Sequence, residues 1–164
     1  MTETILLWAG ENGRDDLSKM GDWNEKDALY GRLRERIERA HAQGQRVLLR
    51  LPVCAVGEKT KDFEELKDYC LKTELPGALV PDARWCFVRT KLKSGVFRAV
   101  AATGADGVCR DFYDAVREEY APPLVAGMDY ESVTAALKLM AFEIRETLAP
   151  RGQETVIAYI QPGF

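Results

Sequence analysis

The whole chain carries one histidine, His41, and that scarcity excludes more chemistry than any motif suggests. A histidine-dependent catalytic triad has only this residue to use, and a metal site rich in histidine cannot form. The four cysteines, Cys54, Cys70, Cys86 and Cys109, are scattered and make no C-x-x-C pair, so no zinc or other metal cofactor is expected. No apolar run approaches the ~20 residues that a membrane span requires. Ile5, Leu6, Leu7, Trp8 and Ala9 are apolar, but Glu3 precedes them and Gly10-Glu11-Asn12-Gly13 ends the run. That is too short and too acidic for a signal peptide, and reads as an opening strand. The expectation is a cytoplasmic chain with reduced thiols, mostly packed as small hydrophobes. A large basic excess is missing too. With 23 basic and 26 acidic residues the net charge is −3, which argues against unselective binding of phosphates.

What is present suits a folded domain. Hydrophobic residues make up 46% and charged residues 30% of 164, an ordinary globular mixture. A chain of this size buries roughly 70% of its unfolded surface and needs neither metal nor disulfide to fold. We find no repeat, linker or low-complexity tract, so residues 1–164 are expected to form a single domain.

Strand and helix patterns alternate along it. After the first strand, Leu29, Leu33, Ile37 and Ala40 recur at helical spacing, with Asp22 or Asn24 as the cap and Gly44 as the stop. A Val- and Leu-rich strand follows over 46–53, then a helix over about 59–72 burying Phe63, Leu66 and Cys70. Residues 84–91 and 96–102 are β-rich runs joined by Lys93, Ser94 and Gly95, which predicts an antiparallel hairpin. Asp106 is expected to cap a third helix reaching Tyr120, with Val108, Phe112 and Val116 inward. A fourth, capped near Asp129, carries Val133, Leu137, Met140, Ile144 and Leu148 at spacings of three and four. Pro150 ends it, and 155–160 forms the last strand. The expected order is β-α-β-α-β-β-α-α-β. That is an α/β fold (α+β being the other option), with a mixed sheet of about five strands and helices packed on it.

Two motifs fail on inspection. Gly57-Glu58-Lys59-Thr60 lacks the contiguous Gly-Lys-Thr of a phosphate-binding loop, and Pro52 stands where its first glycine belongs. Pro81-Asp82 before a strand suits a nuclease, but Arg89-Thr90-Lys91 lacks the second acid that would hold Mg²⁺. Thr103-Gly104-Ala105-Asp106-Gly107 lies between a predicted strand and a predicted helix. Its backbone N–H groups, with Arg110 one turn on, form a candidate anion site. A tight turn with an N-cap is the plainer reading of the same residues.

Charge is segregated along the chain. Residues 83–100 hold Arg84, Arg89, Lys91, Lys93 and Arg98 with no acid, whereas 101–131 hold seven acids against Arg110 and Arg117. Trp85, Phe87 and Phe97 interleave with the cations of the predicted hairpin. Such a ribbon suits an acidic protein partner or, less well given the overall acidity, a nucleic-acid backbone. The sequence therefore favours a small regulator, inhibitor or adaptor without catalysis. Its contact surface would be Arg84, Trp85, Arg89, Lys91, Lys93 and Arg98. A small enzyme or anion-binding domain using the strand-exit glycine loops, with Thr103, Gly104, Asp106, Gly107 and Arg110 at its site, is the alternative, and the sequence does not say whether the Gly10 to Gly13 loop opens into the same pocket.

Overall fold

A computed structural model describes residues 2–9, 17–19, 27–73, 75–111 and 116–157. Four parallel strands form the main sheet: β1 (Thr4–Trp8), β2 (Arg46–Leu51), β5 (Gly107–Arg110) and β6 (Glu154–Ile157). Their spatial order β1-β2-β5-β6 follows the chain order, and each neighbouring pair is parallel. Three long helices make the crossovers: α1 (Asp27–Ala42), α3 (Cys86–Thr103) and α4 (Val133–Leu148). Parallel neighbours require such crossovers, and nearly all are right-handed. Because the strand order never reverses, the helices fall on one face, where α1 packs on α3 and α3 on α4. A singly wound sheet of this kind has the topology of an arc of a β/α barrel. The α/β class expected from the sequence is what the structure shows.

The core lies between that helical layer and the sheet. Leu7, Val47, Leu49, Leu51 and Val108 point into it from the strands, and Leu33, Ile37, Val96, Val100, Met140 and Ile144 from the helices. On α4 the expected stripe is buried in full, from Val133 through Leu137, Met140 and Ile144 to Leu148. Each such side chain contributes about 1.5–3 kcal/mol on leaving water.

Two expected elements exchange character. Residues 84–102 are not a hairpin: 86–102 make up most of α3, and Trp85 is its N-cap. Aromatic and β-branched residues there mimic two strands, yet the buried positions Val88, Gly95, Val96, Ala99, Val100 and Thr103 follow helical spacing. Packing against two sheet-bound helices outweighs β propensity. Conversely, residues 107–110, expected within a helix, form β5, buried throughout. A central parallel strand is covered on both faces, so it has no alternation to announce it.

Smaller differences follow. The helix expected over 59–72 is reduced to the single turn α2 (Phe63–Leu66), and Cys70 instead bridges to Pro81. A two-stranded antiparallel sheet, β3 (Val56–Gly57) with β4 (Ala78–Leu79), flanks that segment. Ser132, not Asp129, caps α4 by accepting the Ala135 N–H at 3.2 Å. The main sheet thus has four strands rather than about five. The expected caps Asp22 and Asn24, the loop Gly10 to Gly13, and Phe112 lie outside the described residues. Among the described residues no helix is long and apolar enough to cross a membrane.

Candidate functional site

The two ends of the sheet are built differently. At the amino ends of the strands the connections are short: residues 43–45 join α1 to β2, and 104–106 join α3 to β5. Gly44 and Gly104 close their helices at φ +74°, a left-handed conformation that a side chain disfavours. Asp106 then pins this end, accepting from the Val47 N–H at 2.7 Å and pairing with His41 Nε2 at 2.8 Å. Partial burial opposes its charge, but these two donors hold its carboxyl below the ordinary carboxylate range. At the carboxyl ends the connections are long excursions, 9–26, 52–85 and 111–132. In β/α folds function gathers at that end, while the opposite end serves stability.

Three side chains meet at the carboxyl ends. Trp8 ends β1 and stands in register with Arg50 of β2 and Cys109 of β5. Alternation gives them the face opposite the helices, and Asp111, two residues past Cys109, returns to it. Arg50 Nε donates to Asp111 Oδ2 at 2.7 Å. The Arg50 guanidinium also lies 5.4 Å from the centre of the Trp8 ring, within cation–π range. Asp111 is wholly buried, whereas the Arg50 side chain keeps 29% of its surface exposed, and Trp8 is half-buried. A backbone bond from Asp111 N–H to the Leu51 carbonyl at 2.8 Å fixes the carboxylate beside β2. The buried acid thus anchors a partly exposed cation next to an aromatic surface.

None of these three stands out in the sequence as a site residue. Trp8 and Arg50 each lie two residues before a break, at Gly10 and at Pro52, which is the available signal. Asp111 was hidden because its segment reads as a helix.

The residues that the sequence does single out lie elsewhere. Arg84 is buried against Asp82, donating from Nη2 at 2.7 Å, and it also reaches the Pro122 carbonyl at 2.8 Å. Arg89 is buried too, donating to the Ala83 carbonyl at 2.7 Å and to Asp129 at 2.6 Å. Lys91 pairs with Asp62 and Glu65, and Lys93 with Glu143 on α4. Arg98 is exposed on α3. Trp85 packs edge-on against Tyr69, ring centres 5.2 Å apart. These residues therefore lie along α3 and the segment leading into it, not on a ribbon.

The expected anion loop is also relocated. Thr103 and Gly104 end a helix instead of preceding one, so carbonyls rather than N–H groups face the loop. Arg34 of α1 already donates to one of them, Ala102 O, at 2.9 Å. A groove of about 230 Å³ beside it is lined by Arg34, His41, Thr103 and Gly104 among others. Gly107 begins β5 and Arg110 ends it, roughly 10 Å apart at strand rise, so the five residues do not form one site. Burial pushes the Cys54 and Cys70 thiols up to about 12, which leaves both protonated and poor as nucleophiles. Among the described residues no group of three or more His, Cys, Asp or Glu is placed to hold a metal ion.

No protein-family model matches the sequence, and no curated protein matches it. Solved structures do match. The alpha-galactosidase from Lactobacillus brevis superposes with a TM-score of 0.70 at 18% identity, over 96% of this chain and 22% of its own. The GH36 alpha-galactosidase AgaB from Geobacillus stearothermophilus gives 0.71 at 16% identity, over 96% and 23%. Ega3 from Aspergillus fumigatus, solved in complex with galactosamine, gives 0.60 at 16%, over 94% and 58%. The likeness is one of fold. The chain spans about a fifth of the length of the two alpha-galactosidases. These matches overturn the expectation of a regulator, inhibitor or adaptor acting through protein contacts: the architecture recurs within alpha-galactosidases. The basic hairpin on which that expectation rested is a helix.

Proposed function

We propose that this chain is a glycosidase-type sector that binds a galactoside at the carboxyl ends of β1, β2 and β5. The observation that carries the reading is the Arg50–Asp111 ion pair beside the Trp8 ring. A pyranose has a C–H face that stacks on an aromatic ring and a rim of hydroxyls that needs fixed polar partners. Trp8 supplies the first and Arg50 the second. Asp111 is a positioning residue: it holds the guanidinium at one orientation, so little side-chain freedom is lost when sugar binds. The fold likeness to alpha-galactosidases supports a galactoside over other sugars.

Because the chain covers only part of those enzymes, binding is the quantity to measure. Galactose and glucose are titrated into the full chain by calorimetry. Galactose is expected to bind and glucose to bind more weakly. Trp8→Ala should weaken galactose at least about tenfold, a loss of ~1.4 kcal/mol. Arg50→Lys keeps the charge but loses the planar fork, and should weaken it as well. Galactose binding that is absent, or unchanged in a folded Trp8→Ala chain, would refute the proposal.

A further inference from the structure

A second concave surface lies on the other side of the sheet. Helix α4 sits above the edge strand β6, and the core takes one of its stripes. The adjacent stripe, Lys138, Ala141, Phe142 and Arg145, overhangs the edge and roofs a groove of about 510 Å³. Thr155, Val156 and Ile157 of β6 and Arg110 of β5 complete it. Among the described residues that line it there are three cations and no acid.

The cations are differently held. Arg110 is buried in the floor, with 5% of its surface exposed. Arg145 lies over the Phe142 ring at 5.6 Å, and its contact to Glu146 is long, 3.7 Å, and exposed on both sides. Such a pair in water contributes little and yields readily to a better anion. Lys138 stands about two turns before Arg145 on the same side of the helix. Phe142 keeps 51% of its surface exposed, and Ile157 38%, which leaves an apolar patch among the charges.

We propose that this groove binds a small phosphate monoester whose ester group is an apolar ring. The exposed charges of Lys138 and Arg145 along one side of α4 favour a dianion over a monoanion, and arginine offers paired N–H donors matched to phosphate oxygens. The Thr155 hydroxyl adds a neutral donor. Phe142 and Ile157 give the ring an apolar surface that inorganic phosphate cannot use. Arg110 and Asp111 are adjacent in sequence yet serve opposite faces, so this groove is separate from the Trp8–Arg50 surface.

The test titrates phenyl phosphate, inorganic phosphate and benzoate into the full chain by calorimetry at low and moderate salt. Phenyl phosphate should bind at least about tenfold tighter than inorganic phosphate or benzoate, and salt should weaken it. Reversal of the exposed pair, Lys138→Glu with Arg145→Glu, should abolish binding while circular dichroism stays unchanged. Phe142→Ala should reduce phenyl phosphate to the level of inorganic phosphate. Galactose binding should survive the reversal, and phenyl phosphate binding should survive Trp8→Ala. Phenyl phosphate binding that is absent, or equal in wild type and a folded reversal variant, would overturn the proposal. So would benzoate binding as tightly as phenyl phosphate.

Discussion

Glu118 reaches across fourteen residues of chain to serve the start of α4. Its carboxylate accepts from the Ser132 hydroxyl at 2.6 Å and from the Thr134 backbone N–H. These two bonds, the hydroxyl first, bring its pKa down from 4.5 to about 2. A helix start carries unpaired N–H groups and a partial positive charge, so an acid there is favourable. Since the folded-state pKa is depressed, the stabilisation is complete above about 4.5 and is lost as pH falls through about 2. Glu118→Gln should therefore cost about 0.5–1 kcal/mol at neutral pH, the usual worth of an exposed cap. In urea melts the gap to wild type should close as pH falls toward 2. A gap that stays constant across that range would mean that the carboxylate charge plays no part. Sequence shows the acids and Ser132 but not the loop that returns Glu118 to them. Only local caps, such as Gly44, are legible at this scale.

The stripes of α1 and α4 announce themselves because one face alone is buried and polar residues mark the other, and β1 and β2 are legible as apolar runs that end at Gly10 and Pro52. For α3 and β5 that contrast is lost. Arg89, which reads as a surface cation, is buried and bonded to Asp129 and the Ala83 carbonyl, so burial and polarity no longer coincide. In β5 all four residues are buried, Arg110 included, and the run is too short for a period to show. Reading it as a helix that follows a strand puts the Gly104 loop at the carboxyl end of the sheet, whereas 104–106 enter β5 at its amino end. Gly107 shows how closely β5 and β6 approach. A Cβ there would come within 2.0 Å of the Glu154 carbonyl oxygen, a backbone atom that cannot swing aside. Gly107→Ala should therefore push β6 away and lower the thermal midpoint by many degrees, whereas Gly44→Ala, whose Cβ meets open space, should cost only the left-handed strain, roughly 1 kcal/mol. Equal midpoints for the two variants would mean that β6 is not paired as described.

At the scale of the molecule, composition located the class but not the working end. Alternating strands and helices imply an α/β sheet, yet strand order determines where chemistry gathers, and order is a long-range property that local patterning does not carry. Once the order is known, the asymmetry is plain. The amino end is stitched by short turns and the Asp106 network, while the carboxyl end carries the excursions and the Trp8–Arg50–Asp111 cluster. Charge blocks along the chain pointed elsewhere because folding pairs them: Lys93 meets Glu143, Arg89 meets Asp129, and Arg84 meets Asp82. Amide chemical-shift mapping during a galactose titration separates the two ends directly. The account predicts the largest shifts at Trp8, its indole N–H, Ala9, Arg50, Leu51 and Asp111. Shifts concentrated instead at Gly44, Gly104 and Gly152 would contradict it.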